Sequence, residues 1–289
     1  MRDGVDEWIH QHLKHIKSIE VAQEWALSTV LRIHTASGDV YFKAGVRLPL
    51  SADEPRLMAL LARLYPDDLP ALIAFDAERG WMLIGDVGTD LRQQTDFVLW
   101  HRALMRLVLL QHDSVAHLDQ LLEAGCRDGR PVRLDALVDT LLANDAMLSG
   151  LDADEVRRLR ALAPLLHRNC RALEPVTLVH GDFHGANIGC KDGSLYFFDW
   201  SESCIAHPFF DLPVMLHDAA ARFSPEQVAT LRDDYLACWE DGARQWQIAA
   251  PLAALHHAMM YNGVAEFVNP DKPRVRVSRW LREILTHEP

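Results

Sequence analysis

Residues 178–200 read LVHGDFHGANIGCKDGSLYFFDW. Apolar segments flank Lys191-Asp192-Gly193-Ser194, and an Asp-Gly pair between such segments is typical of the tight turn of a β-hairpin. With this turn at the centre of the hairpin, Asn187 and Asp199 come together across it. Asp182 lies five residues before Asn187, in the loop that enters the hairpin. The segment therefore predicts that three oxygen-bearing side chains converge.

The group formed by Asp182, Asn187 and Asp199 contains no basic residue. Carboxylate and amide oxygens are hard ligands, and they suit Mg²⁺ that is shared with the phosphate groups of a substrate. Asp and Asn are common in turns for purely structural reasons. The functional interpretation therefore depends on their combination with residues elsewhere in the chain.

The composition of the 289-residue chain narrows the classes of function. Its formal net charge of −12 argues against a polyanionic partner such as DNA, and this charge would suit a cationic substrate. No apolar run approaches the ~18 residues of a membrane helix. The charged amino terminus, MRDGVDEWIHQHLKHIKS, is unlike a signal peptide. We therefore expect neither a nucleic-acid partner nor a membrane partner.

The cysteines indicate the cellular compartment. The chain has five, an odd number, widely spaced and without a C-x-x-C pair: Cys126, Cys170, Cys190, Cys204 and Cys238. Such a pattern is typical of reduced thiols, and it does not suggest a disulfide framework or a zinc site. The sequence therefore predicts a cytoplasmic protein.

The first ninety residues show strand patterns around one inserted helix. An amino-terminal helix is predicted over residues 5–17, where apolar residues recur at helical spacing: Val5, Ile9, Leu13 and Ile16. Four later runs have strand character: 29–33, 40–43, 72–75 and 81–84. Between the second and third of these runs, Asp53-Glu54-Pro55 begins a helix that extends to Tyr65.

Beyond Asp90 the pattern becomes helical, with one interruption by the strand-rich segment 176–200. Long helical stretches are predicted over 96–123, 134–148, 153–173 and about 250–268, the last ending before Asn269-Pro270. Another helix begins at the capping sequence Ser224-Pro225-Glu226-Gln227. The fold class predicted is α+β and bilobal, with a small β-sheet lobe at 1–88 and a mostly helical lobe at 89–289. Ligands commonly bind in the cleft between such lobes.

The sequence at 180–187, HGDFHGAN, resembles the H-G-D-x-H-x-x-N signature of the aminoglycoside phosphotransferase and choline kinase superfamily, relatives of the protein kinases. Asp199-Trp200 resembles the metal-binding segment of that family, and HPFFDL at 207–212 resembles its downstream Asp-Leu element. The resemblance spans roughly residues 18–268. It implies a protein-kinase-like fold and a bacterial-type phosphotransferase that acts on small molecules.

The resemblance also implies roles for individual residues. Asp182 corresponds to the catalytic base, and Asn187 and Asp199 correspond to the Mg²⁺ ligands. Lys43 corresponds to the lysine that binds the nucleotide phosphates, and Glu54 to its ion-pair partner. These roles suit phosphoryl transfer, which requires positioning and charge neutralisation more than covalent chemistry. A carboxylate such as Asp182 can orient the acceptor hydroxyl and take its proton.

Other residues are implied to support or extend this site. His180 and His184 would hold the catalytic loop by hydrogen bonds, and Asp211 would steady the same loop. Ile84 and Asp86 belong to a segment that resembles the hinge contacting the adenine base. The chain departs from the kinase pattern at residues 21–28, which contain no glycine-rich phosphate loop, and at Gly185-Ala186, where the family commonly has Pro-Gly. The hydroxyl of Ser28 or Thr29, or backbone amides, would substitute for the loop.

The acceptor is the least defined part of this interpretation. His257, Tyr261 and Glu266 lie on the last predicted helix, where relatives line their acceptor pockets, although a partly buried helix flank would explain them equally well. The resemblance implies ATP or GTP and Mg²⁺ as cofactors, and a small-molecule hydroxyl acceptor such as an amino sugar or an amino alcohol. The sequence leaves open the choice between ATP and GTP, the acceptor, the oligomeric state, and a role in antibiotic resistance or in metabolism.

Two rival functions follow from the same segment. GDFHG at 181–185 imitates the opening motif of calcineurin-like metallophosphoesterases, but their later G-D-x-x-D and G-N-H-[DE] motifs do not occur. A pseudokinase, which binds nucleotide without turnover, is the remaining alternative. Degraded motifs would mark a pseudokinase, whereas the base, the metal ligands and the lysine are all present in this chain.

Overall fold

The computed structural model describes residues 4–268 and 271–287. Its strands within these residues are β1 Ile16–Glu24, β2 Ser28–Thr35, β3 Gly38–Gly45, β4 Leu72–Asp76, β5 Trp81–Gly85, β6 Thr89–Asp90, β7 Arg127–Asp128, β8 Thr177–Val179, β9 Ile188–Lys191, β10 Ser194–Phe197 and β11 Cys204–Ala206. Its helices are α1 Val5–His12, α2 Glu54–Leu64, α3 Phe97–Ser114, α4 Leu118–Glu123, α5 Pro131–Asp135, α6 Val138–Ala143, α7 Asp145–Leu148, α8 Ala153–Ala161, α9 Ala163–Ala172, α10 Leu212–Ala220, α11 Pro225–Ala237, α12 Gly242–Ala265 and α13 Asp271–Leu285.

The amino-terminal part is an antiparallel five-stranded sheet in the order β1-β2-β3-β5-β4. Strand β3 has strict alternation, so Val40, Phe42 and Ala44 lie buried on one face. On that face Phe42 packs edge-on against Trp8 of α1 and Trp81 of β5, with ring centroids 5.8 and 5.7 Å apart. Lys43 therefore points to the opposite face, away from α1 and towards α2.

The predicted central hairpin is confirmed. Strands β9 and β10 pair antiparallel with Ser194 opposite Lys191 and Phe197 opposite Ile188, so the turn lies at Asp192-Gly193. The pairing continues one step further, where the Phe198 amide donates to the Asn187 carbonyl at 3.1 Å. Asn187 and Asp199 therefore lie at the open end of this hairpin, as expected.

The carboxy-terminal part is mainly helical and is organised around α12. The middle of this 24-residue helix is buried, from Ala249 to Met260. It packs against α13, and both belong to one hydrophobic core that includes α3 and extends to α2 of the amino-terminal part. In the small sheet β7-β11-β8, strands β8 and β11 are also buried in this core. The antiparallel amino-terminal sheet and the helical carboxy-terminal part agree with the predicted α+β class.

Several predicted element boundaries were wrong. The first helix ends at His12, because Leu13 is extended and His15 has a positive φ of 57°. Leu13 and Ile16 are therefore not on that helix, and Ile16 begins β1, a strand that was not predicted. The stretch 134–148 contains the end of α5 and two further short helices, and Asn144 caps the last of them by accepting from Met147.

The last predicted helix also differs. Helix α12 begins at Gly242 and ends at Ala265, and α13 was not predicted. Asn269 and Pro270, which were expected to follow the last helix, lie outside the described residues.

The lobe boundary at residue 88 stays a prediction. All five cysteines are free thiols. Across the described ranges, no helix combines the length and the apolar character needed to span a membrane.

Candidate active site

The loop between β8 and β9, residues 180–187, is held at its start by Asp211. The two carboxylate oxygens of this buried residue accept from the backbone amides of His180 at 3.0 Å and Gly181 at 2.8 Å. Gln111 donates to the same carboxylate at 3.0 Å. Gly181 has φ +87°, and a Cβ at this position would collide with the Glu202 carbonyl oxygen, so the loop requires glycine here. The predicted support by Asp211 agrees with these contacts.

Asp182 follows this glycine and is fixed by two neighbours in the same loop. Asn187 donates from Nδ2 to the Asp182 carbonyl at 3.0 Å and to Oδ2 at 3.2 Å. His184 accepts from the Ala186 amide at Nδ1, so its Nε2–H is the atom that donates to Asp182 Oδ2 at 3.2 Å. These contacts hold the carboxylate at the surface of the loop.

The surroundings of Asp182 keep its carboxyl group ionised. Burial by itself would raise its pKa, but the hydrogen bond from His184 and the electrostatic effect of the neighbouring histidines lower the pKa to about 2. The nearby His180 is uncharged at neutral pH, because burial lowers its pKa to about 4. Its Nε2 donates a hydrogen bond to the Phe198 carbonyl at 3.0 Å. A charged carboxylate is the form that can accept a proton from an alcohol.

Lys43 joins the two halves of the site. Its Nζ donates to Glu54 at the start of α2 at 2.8 Å and to Asp199 Oδ1 at 2.7 Å. Burial would lower the pKa of Lys43, but the two carboxylates outweigh it and raise the pKa. Burial would likewise raise the pKa of Asp199, and the charge of Lys43 lowers it instead. The predicted Lys43–Glu54 ion pair is present, and Asp199 adds a third member.

Asp199 and Asn187 each have one side-chain oxygen that these contacts do not use, and such oxygens are suitable ligands for a hard divalent cation. Lys43 and Ser201 both bond Oδ1 of Asp199, which leaves Oδ2. Asn187 uses its amide nitrogen towards Asp182, which leaves its Oδ1. One carboxylate oxygen and one amide oxygen are the donors with which proteins bind Mg²⁺ together with phosphate groups. The residues present therefore suit the predicted metal.

A cavity of about 770 Å³ opens beside these groups and is lined by Lys43, Asp182 and Asp199. Its lining also includes four other predicted residues: Ser28, Glu54, Tyr261 and Glu266. The cavity lies between the sheet and the carboxy-terminal end of α12. It is large enough for a drug-sized ligand, since such sites commonly measure ~300–1,000 Å³.

Seven predicted residues do not line this cavity: Asn187, His180, His184 and Asp211, whose contacts in the loop are given above, and His257, Ile84 and Asp86. His257 is buried, donates from Nε2 to the Phe210 carbonyl at 2.8 Å and stacks on Trp280 of α13. It lies on the same helix as Tyr261, but Trp280 of α13 covers it. Ile84 is buried in the core, and the Asp86 carboxylate pairs with Lys191 at 3.0 Å. Their role in nucleotide binding stays a prediction.

Comparison with known proteins identifies the family. A model of the phosphotransferase enzyme family APH matches residues 19–252. The chain belongs to this family. The protein is therefore an enzyme, a phosphotransferase whose family acts on hydroxyl groups of small molecules, and the resemblance seen in the sequence is confirmed.

Individual relatives are distant from this phosphotransferase. N-acetylmuramate/N-acetylglucosamine kinase of Caulobacter vibrioides is 34% identical over 103 residues, which cover 33% of this chain and 28% of that protein. Choline kinase LicA from Streptococcus pneumoniae superposes with a TM-score of 0.67 at 14% identity, covering 98% of each chain. The GDP and kanamycin complex of APH(2")-IIia gives a TM-score of 0.69 at 14% identity, covering 98% of this chain and 99% of that one. At this identity the structural likeness establishes the kinase-like fold.

The sequence did not predict one residue that contacts the catalytic loop, Asp218 on α10. Its Oδ2 accepts from the backbone amide of Gly185, near the end of the catalytic loop, at 2.9 Å. The carboxylate is itself fixed by Arg92 at 3.0 Å and by Arg222 at 2.8 Å. Asp218 comes seven residues after Asp211, the N-cap residue of α10, so the two lie on the same side of that helix. That spacing is the only sequence signal that could have indicated it.

We expect Asp218→Ala to lower kcat of the phosphotransferase by about 10- to 100-fold, because small displacements of catalytic groups have effects of this size. The KM for the nucleotide should not change, since Asp218 touches no cavity residue involved in phosphate binding. Asp218→Asn keeps an oxygen for the Gly185 amide and should recover part of kcat. Steady-state kinetics of both variants measures the effect. Asp233→Ala is the control, because that exposed carboxylate pairs with the neighbouring Arg232 and lies outside the cavity lining. An unchanged kcat in Asp218→Ala would refute the positioning role.

Proposed function

We propose that this phosphotransferase moves the γ-phosphoryl group of ATP or GTP to the hydroxyl of a small molecule, with Mg²⁺ as the metal and Asp182 as the base. The observation that carries the proposal is the convergence of Lys43, Asp182 and Asp199 on one cavity. Lys43 comes from the amino-terminal sheet, whereas Asp182 and Asp199 flank the β9–β10 hairpin, so their convergence depends on how these two parts of the fold pack together.

The proposed reaction assigns one task to each group. The acceptor hydroxyl oxygen forms a bond to the γ-phosphorus as the bond from that phosphorus to the β,γ-bridging oxygen breaks, and the nucleoside diphosphate leaves. Asp182 orients the hydroxyl and receives its proton. Lys43, held by Glu54, places a positive charge against the nucleotide phosphates. Mg²⁺, held by Asn187 and Asp199, would neutralise phosphate charge.

The nucleotide is proposed to enter beside Lys43. Ser28 lines the cavity at the start of β2, where glycine-rich loops lie in other kinases, and its Oγ accepts from the Trp25 indole at 2.6 Å. The structure of a relative with bound GDP supports nucleotide use by this fold. Ile84 and Asp86 would contact the base through the segment that links the sheet to the helical part.

The acceptor is proposed to be an amino sugar or an amino alcohol. Two relatives are named for N-acetylmuramate and choline, and the structure of a third contains kanamycin; all three are small hydroxyl compounds. The net charge of −12 would favour a cationic molecule. Tyr261 and Glu266 line the cavity and are candidates for its recognition. The free cysteines support a reducing compartment, the cytoplasm.

Radiolabelled transfer tests the proposal directly. Wild-type protein is incubated with γ-labelled ATP or GTP, with and without Mg²⁺, and with panels of amino alcohols, amino sugars and neutral sugars. We expect Mg²⁺-dependent label in an acceptor, and slow hydrolysis of the nucleotide when no acceptor is added. Nucleotide binding accompanied by neither transfer nor hydrolysis would contradict the proposal and favour the pseudokinase.

A further inference from the structure

The turn between β1 and β2 carries a hydrogen-bonded pair, Trp25 and Ser28. The Trp25 amide donates to the Ser28 carbonyl at 3.0 Å, which closes the turn. The Trp25 indole Nε1–H donates to the Ser28 Oγ at 2.6 Å. The turn is also attached to the end of β3, because the Val46 amide donates to the Leu27 carbonyl at 2.8 Å. Ser28 is therefore held through both its backbone and its side chain.

The pairing of β2 with β3 places the Ser28 hydroxyl on the same sheet face as Lys43. Residues directly opposite each other in an antiparallel pair share a face, and so do residues two apart on one strand. Ser28 lies opposite Gly45, two residues beyond Lys43 on β3. Thr29 lies opposite Ala44, which is buried on the face that α1 covers. Of the two hydroxyls that the sequence left open, that of Ser28 faces the cavity.

The order of contacts along the sheet places Ser28 at the last phosphate of a bound nucleotide. Gly85, in the segment proposed to contact the base, lies opposite Val40 near the start of β3. Lys43 follows three residues later, and Gly45, opposite Ser28, two residues after that. At ~3.3 Å per residue, the level of Ser28 lies about 7 Å beyond that of Lys43, on the side away from the base. A nucleotide that extends past Lys43 therefore reaches Ser28 with its terminal phosphate.

The cavity supports the same placement. The γ-phosphoryl group is the one that must meet the acceptor hydroxyl, which the proposed function puts beside Asp182. Ser28 and Asp182 line one cavity, from opposite sides of the cleft between the sheet and the catalytic loop. The transferred group therefore passes between them.

The hydrogen bonds of Ser28 leave its proton for a ligand. A serine hydroxyl has one proton and two lone pairs, whereas an indole N–H can only donate. Because Trp25 occupies one lone pair, the Ser28 proton is directed elsewhere, and no group of the described residues accepts it. A phosphate oxygen is an anionic acceptor and suits this donor. Residues 21–28 contain no glycine-rich loop whose amides could serve instead.

We propose that the Ser28 hydroxyl donates a hydrogen bond to the γ-phosphoryl group, and that Trp25 is the positioning residue that orients this hydroxyl. The inference rests on the proposed function and deepens it, because it names the phosphate that Ser28 contacts and the residue that acts through it. The contact exists with the triphosphate and is absent with the diphosphate product. It therefore makes the site selective for the triphosphate.

Diphosphates and non-hydrolysable triphosphates separate this contact from those with the other phosphates. The probes are ADP, GDP and the β,γ-imido analogues of ATP and GTP, and their dissociation constants are measured by calorimetry with the full chain and Mg²⁺. For the purine that wild-type protein prefers, Ser28→Ala should weaken the triphosphate analogue about tenfold and the diphosphate less than about twofold, as for a hydrogen bond to a charged group. Ser28→Thr keeps the hydroxyl and should recover most of the loss.

Trp25→Phe tests the positioning role, because it keeps an aromatic ring and removes the N–H. We expect the triphosphate analogue to bind about threefold more weakly, since the Ser28 hydroxyl remains but is no longer oriented, and the diphosphate to bind as before. In the Ser28→Ala background, Trp25→Phe should have no further effect. A merely structural role of Trp25 in the turn would weaken both nucleotides, and would do so in either background.

Two further variants locate the effect. Thr29→Ala should bind both nucleotides like the wild type, because its side chain is on the face that α1 covers. Ser18→Ala, at an exposed serine of β1 outside the cavity lining, is the matched control. A loss in Thr29→Ala with none in Ser28→Ala would overturn the assignment.

The remaining outcomes separate this inference from the proposed function. Equal losses of diphosphate and triphosphate affinity in Ser28→Ala, or unchanged affinity for both, would overturn the γ-phosphate contact, while phosphate transfer by the wild type would leave the function intact. Additive effects of Trp25→Phe and Ser28→Ala would remove Trp25 from the positioning role. If wild-type protein binds none of the four nucleotides, the proposed function is wrong and the inference falls with it.

Discussion

Asp199→Ala is expected to abolish Mg²⁺-dependent turnover. The substitution removes the carboxylate oxygen proposed to bind the metal and one of the two anionic partners of Lys43, which bonds it at 2.7 Å. Without the metal, phosphate charge would repel the acceptor oxygen, and metal ions contribute several kcal/mol to such transition states. Turnover is measured across a Mg²⁺ titration, and nucleotide affinity is measured separately with and without Mg²⁺.

The backbone at Asp199 requires a second variant. This residue has φ 64°, a left-handed conformation that costs alanine roughly 1–2 kcal/mol and that asparagine adopts more readily. Asp199→Asn should therefore fold like the wild type and still lose Mg²⁺-dependent turnover. Asp192→Asn in the hairpin turn has φ 49° and is the matched control, because it lies outside the cavity lining. Wild-type Mg²⁺ dependence in Asp199→Asn would remove the residue from the metal site.

Asp182→Asn should lower the rate of phosphate transfer by about 10²–10⁴, the usual contribution of a general base. The substitution keeps the size of the side chain and an oxygen for His184 and Asn187, but it removes the charge that accepts the proton. Nucleotide and Mg²⁺ should still bind, because Lys43, Asn187 and Asp199 are unchanged. Single-turnover measurements follow the chemical step itself, so that slow product release cannot conceal the effect.

His184→Gln provides the comparison for Asp182→Asn. This variant keeps a side-chain donor near Asp182 Oδ2 and should have a much smaller effect on the chemical step. A chemical step slowed by less than ~10-fold in Asp182→Asn would contradict the role of base and would leave Asp182 as a structural residue of the loop.

The parts of the site predicted correctly are those with strong local signals. The Asp-Gly pair set the hairpin turn, and the strand predicted over 40–43 is part of β3, which carries Lys43. The start of α2 was marked by Asp53 and Pro55, which places Glu54 where it reaches Lys43. In each case a few neighbouring residues determine the geometry.

The features of the fold and of the site that the sequence did not predict depend on packing between segments that are distant in the chain. His257 and Tyr261 are four residues apart on one helix, but Trp280 of α13 stacks on His257, whereas Tyr261, which contacts Arg276 of α13, still lines the cavity. Strand β1 is mostly exposed and polar, so it has little of the apolar alternation that identifies a strand. Glu202 and Asp218 belong to no motif, and only the folded chain shows that one lies beside Gly181 and the other binds Gly185.

The attachment of the catalytic loop to α10 restricts how the length of this region can vary. Asp211 binds the beginning of the loop and Asp218 a point near its end, and seven residues make almost two complete turns of helix, about 10.5 Å. One residue inserted between them would rotate Asp218 by about 100° around the helix axis and move it away from the Gly185 amide. Substitutions on the outer surface of α10 leave this register unchanged. Insertions and deletions should therefore accumulate in turns such as 191–194 and be excluded from the two turns of α10.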